Sequence, residues 1–152
     1  MRAGLPWWGA LARLITLVAA VSACQVDPEL QPDALLRSEL GLTDRDRVHR
    51  VRITGGAAEV AVPAATTILT GAYVEFVAGD WLVHEIVFEV DSLAPDARAF
   101  LESTDQVASP PLLRLDSRYV VHFEDSPPGR YPFVMAGSTA PGRGVVIVEM
   151  RP

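Results

Sequence analysis

The sequence predicts an all-β fold, an antiparallel sandwich or barrel with one short helical insertion. From residue 48 onward, Val, Ile, Thr, Tyr and Phe are concentrated in short segments. Apolar and polar side chains alternate in these segments, which is the period of a strand with one buried face. Gly and Pro separate the segments, as they do in chains of strands joined by tight turns. A length of 152 residues suits one domain of ordinary size.

Eight segments carry the strand pattern, and one insertion interrupts them. The predicted strands are 48–53, 58–62, 66–70, 72–77, 82–90, 118–124, 130–136 and 144–150. The insertion, 91–116, contains a short helix over 95–103 with Pro95 in its first turn, where proline is well tolerated. We expect Phe100 and Leu101 to seal this helix to the sandwich.

The first 23 residues are predicted to be a secretion signal rather than part of the fold. Arg2 and Arg13 are the only charges before Asp27, and a run of ten largely apolar residues follows Arg13. That run is shorter than the roughly 20 residues a membrane-spanning helix needs. Residues 21–24, Val-Ser-Ala-Cys, resemble the lipobox of bacterial lipoproteins. In that family the Cys becomes the mature N-terminus and carries the lipid, which implies that Cys24 anchors this chain to the bilayer.

The resemblance also bears on location. It implies a protein held on the extracytoplasmic side of a bacterial envelope. Gln25, rather than Asp, follows the Cys, which favours the outer membrane where the source cell has one. The alternatives are an ordinary signal peptide followed by a stray Cys, and a short membrane anchor.

Residues 24–47 are predicted to be a tether that ends in a short helix. Its first part is polar and holds two Pro, as an extended spacer does. Asp33 is a candidate N-cap for a helix that ends at Gly41, with Leu35, Leu36 and Leu40 on one stripe. The sandwich then occupies 48–152.

Charge and cysteine content exclude several classes of function. The chain has 13 basic and 19 acidic residues, and loss of Arg2 and Arg13 with the signal leaves 11 against 19, a net charge of −8. Such a body repels nucleic acid and anionic lipid head groups. A single Cys excludes an internal disulfide. Serine-hydrolase, phosphate-loop and zinc-protease motifs are absent from the sequence, so we expect no enzyme.

Two stretches resemble the cupredoxins, the plastocyanin- and azurin-type blue copper proteins. The first is Gly71-Ala-Tyr-Val-Glu-Phe-Val-Ala-Gly-Asp-Trp-Leu-Val-His84, in which a His opens the strand after a polar turn. The second runs from Pro128 to Val148 and is similar to the family's copper-loop region and final strand. The resemblance implies a cupredoxin-like antiparallel Greek-key β-sandwich.

The ligands are where this chain departs from the family. A blue copper site uses two His, one Cys thiolate and a weak axial Met. The resemblance places His84 at the first His, Met135 at the Cys, Ser138 at the second His and Arg143 at or near the axial Met. The one thiol, Cys24, is at the lipid end. We therefore expect no copper. The alternative is a weak Cu(I) site formed by His84 and Met135. The simpler interpretation of this pair is a hydrogen-bonded His beside a packed Met.

A candidate binding face lies at the same end of the predicted sandwich. Trp81, Ser138 and Arg143 occupy its turns. Trp81 is interpreted either as an exposed anchor for a partner or, as we expect, as a ring folded over the sandwich end. The sequence thus predicts a membrane-anchored envelope lipoprotein with a degenerate cupredoxin-like domain, a non-catalytic binding or accessory module for an unidentified envelope protein or ligand. The alternative is a copper-binding electron-transfer or copper-delivery protein that uses His84.

Overall fold

The computed structural model describes residues 30–151, and they form two four-stranded sheets with two short α-helices. The strands are β1 Val48–Thr54, β2 Val60–Val62, β3 Ala65–Leu69, β4 Tyr73–Ala78, β5 His84–Phe88, β6 Arg118–His122, β7 Gly129–Gly137 and β8 Gly142–Glu149. All eight predicted strands are confirmed, with ends shifted by a few residues. The predictions for residues 1–23 and Cys24 lie outside the described residues.

The strands are arranged in the orders β2-β1-β4-β6 in the first sheet and β3-β8-β7-β5 in the second. Two of the strand pairs, β1 with β4 and β3 with β8, are parallel, and the others between these strands are antiparallel. The expectation of a wholly antiparallel sandwich is therefore wrong at these two pairs. Parallel neighbours need long crossover connections, and alternation along a strand carries no information about the direction of its partner.

The two sheets enclose one apolar core. Residues from both contribute, among them Val51, Val74 and Phe76 of the first sheet and Phe88 and Phe133 of the second. The ring centroids of Phe76 and Phe133 are 5.1 Å apart at a steep interplanar angle of 78°, an edge-to-face contact between the sheets. Alternation along each strand therefore places its apolar face inward, as predicted.

Helix α2, Pro95–Ser103, lies in the connection between β5 and β6 and confirms the predicted insertion. Leu101 is fully buried, and Phe100 packs on the core, where its ring stacks near Phe123 at 6.0 Å between centroids. These two side chains seal the helix to the sandwich, as expected.

Helix α1, Ala34–Leu40, also matches its prediction but is attached more firmly than a tether. Asp33 Oδ1 accepts a hydrogen bond from the Leu36 amide at 2.9 Å, and Gly41 ends the helix in the left-handed conformation at φ 67°. Leu36 is buried in a small cluster with Leu42 and Val48. Helix α1 is therefore part of the folded body, although the sequence placed it in the tether.

The predicted apolar stripe of α1 is wrong in part. Leu36 is buried, whereas Leu35 and Leu40 are each 48% exposed. A helix of seven residues has room for few inward positions, and consecutive residues such as 35 and 36 point about 100° apart.

A charged network holds α1 to the first sheet. Glu75 is fully buried on β4; its Oε2 accepts a hydrogen bond from Arg50 Nε at 2.7 Å, and its Oε1 lies 2.9 Å from Arg118 Nη1. The same Arg118 nitrogen donates to Asp33 Oδ2 at 2.9 Å. Burial acts to lower the pKa of Arg118, but the Asp33 and Glu75 carboxylates outweigh it and raise that pKa.

The sandwich has two distinguishable ends. At the end called the His84 end, β4 finishes at Ala78, β5 begins at His84, and β7 finishes at Gly137. At the opposite end, Tyr73 begins β4 and pairs with His122 of β6. Among residues 30–151, no helix is long and apolar enough to cross a membrane.

Candidate functional site

His84 is the first residue of β5 and is completely buried. It pairs with Gly137 of β7, and Met135, also fully buried, pairs with Ile86 two residues further along. The structure therefore confirms that His84 and Met135 lie on core-facing positions of adjacent strands.

Both ring nitrogens of His84 face carboxylates. Nδ1 lies 2.6 Å from Glu59 Oε2, and Nε2 lies 2.9 Å from Asp80 Oδ1. The side chains of His84 and Glu59 are fully buried, and that of Asp80 is 28% exposed. A carboxylate only accepts hydrogen bonds, so this arrangement is fully satisfied when both nitrogens of the imidazole carry a proton. We call these three side chains the His84 triad.

Glu59 is held in place from several directions. Its other oxygen, Oε1, accepts a hydrogen bond from the Thr139 hydroxyl at 2.8 Å, and its amide donates to the Ala140 carbonyl at 2.8 Å. It lies next to β2, where Val60 and Val62 are about half exposed and Ala61 is buried. Glu59 thus points inward, as Ala61 does, and an unpaired carboxylate buried there would lower the stability of the fold.

Asp80 organises the turn between β4 and β5. Oδ2 accepts a hydrogen bond from the Gly55 amide and Oδ1 one from the Leu82 amide, both at 2.7 Å. Burial acts to raise the pKa of Asp80, but these two amides and the His84 ring outweigh it and lower that pKa. Asp80 therefore stays ionised beside His84 well into the acid range.

Close backbone packing surrounds the triad. A Cβ at Gly137 would overlap the Val83 carbonyl oxygen, and one at Gly142 would overlap the Glu59 carbonyl oxygen. The loop from β7 to β8 therefore sits directly against the segments that carry Glu59 and His84. Little room remains for a ligand within the buried part of this site.

The donor set does not fit type 1 copper. A metal needs a ring nitrogen with a free lone pair, and both nitrogens of His84 are engaged by carboxylates. The position that the cupredoxin resemblance assigns to the thiolate holds Met135, and the one Cys of the sequence is Cys24. Within residues 30–151 no group of three or more His, Cys, Asp or Glu side chains is placed to hold a metal ion.

The other residues of the predicted face are placed differently from one another. Ser138 lies beside the turn, where its hydroxyl accepts a hydrogen bond from the Val83 amide at 3.2 Å. Arg143 pairs with Val134, the neighbour of Met135, so its side chain lies on the opposite face of the sheet from that of Met135. At the surface, Arg143 Nη2 lies 3.3 Å from Glu89 Oε1. The prediction that Arg143 lies at the ligand end is therefore wrong for its side chain, which alternation directs to the outer face of the second sheet.

Trp81 is 73% exposed. The prediction that its ring folds over the sandwich end is wrong, because the His84 triad already fills that end. Asp80 fixes the turn so that the next side chain points outward.

No family model matches the chain, and no curated protein matches it. Solved structures that it resembles include amicyanin from Paracoccus versutus, 20% identical, covering 72% of this chain and 87% of that one with a TM-score of 0.47. A purple cupredoxin from Nitrosopumilus maritimus is 22% identical, covering 66% and 99% with a TM-score of 0.46. A copper-containing nitrite reductase from Thermus scotoductus is 25% identical, covering 84% of this chain but 27% of that one, with a TM-score of 0.48.

The described residues form a mainly β sandwich of two four-stranded sheets. Its site differs from the blue copper donor set, since two carboxylates and an imidazole stand where the sequence resemblance located one copper ligand.

Sequence reasoning identified His84 and missed both of its partners. The sequence contained a hint of Glu59, because this residue lies two positions before Ala61 and therefore on the same, buried face of its segment. Asp80 lies four residues before His84 and was read as part of a turn. The contact between Glu59 and His84 joins residues that are 25 positions apart, and strand periodicity does not predict which distant strand is adjacent.

Proposed function

We propose that this chain is a lipid-anchored envelope protein whose cupredoxin-like domain is a non-catalytic binding module without type 1 copper. The observation that carries the proposal is the engagement of both His84 nitrogens by buried or half-buried carboxylates. These contacts give both ring nitrogens a hydrogen-bond partner without a metal. The domain then keeps the cupredoxin-like scaffold and uses its exposed loops.

Support for the lipid anchor is independent of the sandwich. It rests on the apolar run before Cys24 and on the small residues at positions 21–23. With a net charge of −8 after removal of the signal, attraction to anionic lipid is a poor substitute for an acyl chain.

We expect the purified, metal-free mature protein, with Cys24 lipidated, to bind neither Cu(II) nor Cu(I) stoichiometrically. Binding at His84 requires Glu59 or Asp80 to release a ring nitrogen inside a closed site, and no thiolate compensates for that loss. Titration with each ion, followed by equilibrium dialysis and absorption spectroscopy, tests this.

Two histidine variants make the titration decisive. His122 lies at the opposite end of the sandwich and is partly exposed, so weak surface binding falls in His122→Ala and persists in His84→Ala. One equivalent of copper that is lost in His84→Ala and kept in His122→Ala would establish the copper-carrier alternative.

We expect Cys24→Ser to move the protein from the membrane fraction to the soluble extracytoplasmic fraction. The thiol is the acceptor of the lipid in the lipobox resemblance, and serine does not replace it there. Fractionation after labelling with a radioactive fatty acid measures both attachment and acylation. Ser138→Ala, which leaves Cys24 intact, serves as the matched control and stays with membranes. A Cys24→Ser protein that remains in the membrane fraction would show that residues 1–23 are themselves an anchor.

A further inference from the structure

Exposed apolar side chains are concentrated at the His84 end of the sandwich. Trp81 is 73% exposed and Leu113 60%, and Leu82, Val83 and Leu115 are each between 36% and 38% exposed. We call these five side chains the apolar tip. Such a concentration at one end of a domain is typical of an interaction surface.

The two segments of the apolar tip lie side by side. His84 and Leu112 exchange backbone hydrogen bonds, with N to O distances of 3.1 Å and 2.7 Å. The residues before His84 and those after Leu112 therefore leave this antiparallel bridge in the same direction. Residues 81–83 and 113–115 form one surface as a result.

The apolar tip is held in a fixed conformation. Asp80 accepts from the Gly55 and Leu82 amides, the Val83 amide donates to the Ser138 hydroxyl, and the Ser138 amide donates to the Val83 carbonyl at 3.1 Å. A surface that is already ordered loses little conformational entropy when it binds.

The chain enters the folded body at this same end. Asp33, which begins α1, contacts Arg118, and Arg118 pairs with Val77 near the end of β4. Asp33 and Asp116 line one surface cavity, and Asp116 directly follows Leu115 of the apolar tip. Helix α1 then leads away from this end, because β1 starts at Val48 opposite Tyr73.

The chain between the lipid site and the domain is short. Eight residues separate Cys24 from Asp33, so nine steps along the chain join them, and each fully extended step spans at most about 3.6 Å. An acyl chain on Cys24 therefore keeps Asp33, and with it the His84 end, within about 30 Å of the bilayer.

We propose that the apolar tip rests in the interfacial region of the lipid bilayer, so that the domain stands with its His84 end toward the membrane. This rests on the lipid anchor of the proposed function. Trp prefers the membrane interface, and the neighbouring Leu and Val side chains transfer favourably out of water. The contact supplies a second membrane attachment beside the lipid on Cys24.

Trp81 is a built-in reporter for this contact. The other two Trp residues, Trp7 and Trp8, lie in the predicted signal. The lipidated protein is reconstituted into vesicles of phosphatidylethanolamine and phosphatidylglycerol with brominated acyl chains, and flotation separates bound from free protein. We expect Trp81 emission to move to shorter wavelength and to lose at least half of its intensity relative to unbrominated vesicles. The emission of the Trp81→Phe variant gives the background that comes from residues other than Trp81.

Two matched variants locate the contact. In Trp81→Phe combined with Met150→Trp, the reporter moves to a residue that is 72% exposed and follows β8 at the opposite end, and we expect no quenching. With Trp81 in place, Leu113→Asp is expected to reduce the quenching at least twofold, while Met150→Asp leaves it unchanged. Both aspartates replace exposed side chains, so neither disturbs the core.

The outcomes separate this inference from the lipid anchor. Protein that floats with unquenched Trp81 emission overturns the inference and leaves the anchor intact. Short-wavelength, unquenched emission that depends on protein concentration would assign the apolar tip to a second copy of the chain and also overturns it. Protein that carries no lipid and fails to float overturns the proposed anchor. The Cys24 thiol is then coupled to a maleimide lipid, and quenching or its absence in that tethered protein supports or overturns the membrane contact of the apolar tip.

Discussion

Replacing Glu59 by Ala is expected to lower the free energy of unfolding by about 3–5 kcal/mol, the usual cost of removing one partner of a buried ion pair. His84 is fully buried, and Glu59 Oε2 lies 2.6 Å from its Nδ1. Without Glu59, the buried His84 ring keeps Asp80 as its one carboxylate partner, and the Thr139 hydroxyl loses the oxygen to which it donates. Urea unfolding followed by circular dichroism measures the change.

Three further variants make this measurement specific. Glu59→Gln keeps the size of the side chain and one of its two acceptor oxygens but removes the charge, so the loss of stability should be smaller than in Glu59→Ala. Glu102→Ala, an exposed glutamate on α2, should change the free energy by no more than about 0.5 kcal/mol. His84→Ala combined with Glu59→Ala should cost less than the sum of the single changes, because the pair acts as a unit. Strict additivity would show that the two side chains do not stabilise each other.

Replacing Arg118 by Ala is expected to lower the free energy of unfolding by about 3 kcal/mol, at the lower end of the range for buried pairs. Glu75 is fully buried and would keep only Arg50, whose side chain is 47% exposed and whose attraction is therefore screened by water. Asp33 would lose the guanidinium that joins α1 to β6.

The effect should be largest near helix α1. Hydrogen exchange is expected to accelerate at the amides of residues 34–42 in Arg118→Ala, because the helix loses the shorter of its two ionic links to the sheet. The link from Arg50 Nη2 to Asp33 Oδ2, at 3.5 Å, and the apolar contact through Leu36 remain. Arg130→Ala removes an exposed arginine of β7 and should leave both stability and exchange unchanged. Unaltered exchange at α1 in Arg118→Ala would mean that the remaining contacts through Leu36 and Arg50 are sufficient to hold the helix.

Local patterns were sufficient for most of the secondary structure. Alternation of apolar and polar residues marked most of the strands, because a strand between core and solvent imposes a period of two on its own sequence. Asp33 and Gly41 marked the ends of α1, since capping depends on neighbours within a few residues. Pro95 marked the start of α2 for the same reason.

Strand β4 shows where such patterns end. Val74, Glu75, Phe76, Val77 and Ala78 are all buried. The core covers one face of the strand, and α1 together with Arg50 of β1 and Arg118 of β6 covers part of the other. Nothing in the sequence of β4 predicts that a helix packs against it. The burial of Glu75, which makes Arg118 important, became visible only in the folded chain.

The sequence by itself determined the strands, the two helices, the candidate lipid acceptor Cys24 and the departure from the blue copper ligands at Met135 and Ser138. These features depend on residue identity and on neighbours close in the chain. The tertiary structure decided that two strand pairs are parallel, that Glu59 and Asp80 close around His84, and that Trp81 is exposed at the end where the chain enters. Each of these depends on which distant segments are adjacent, and long-range packing rather than local propensity sets that adjacency.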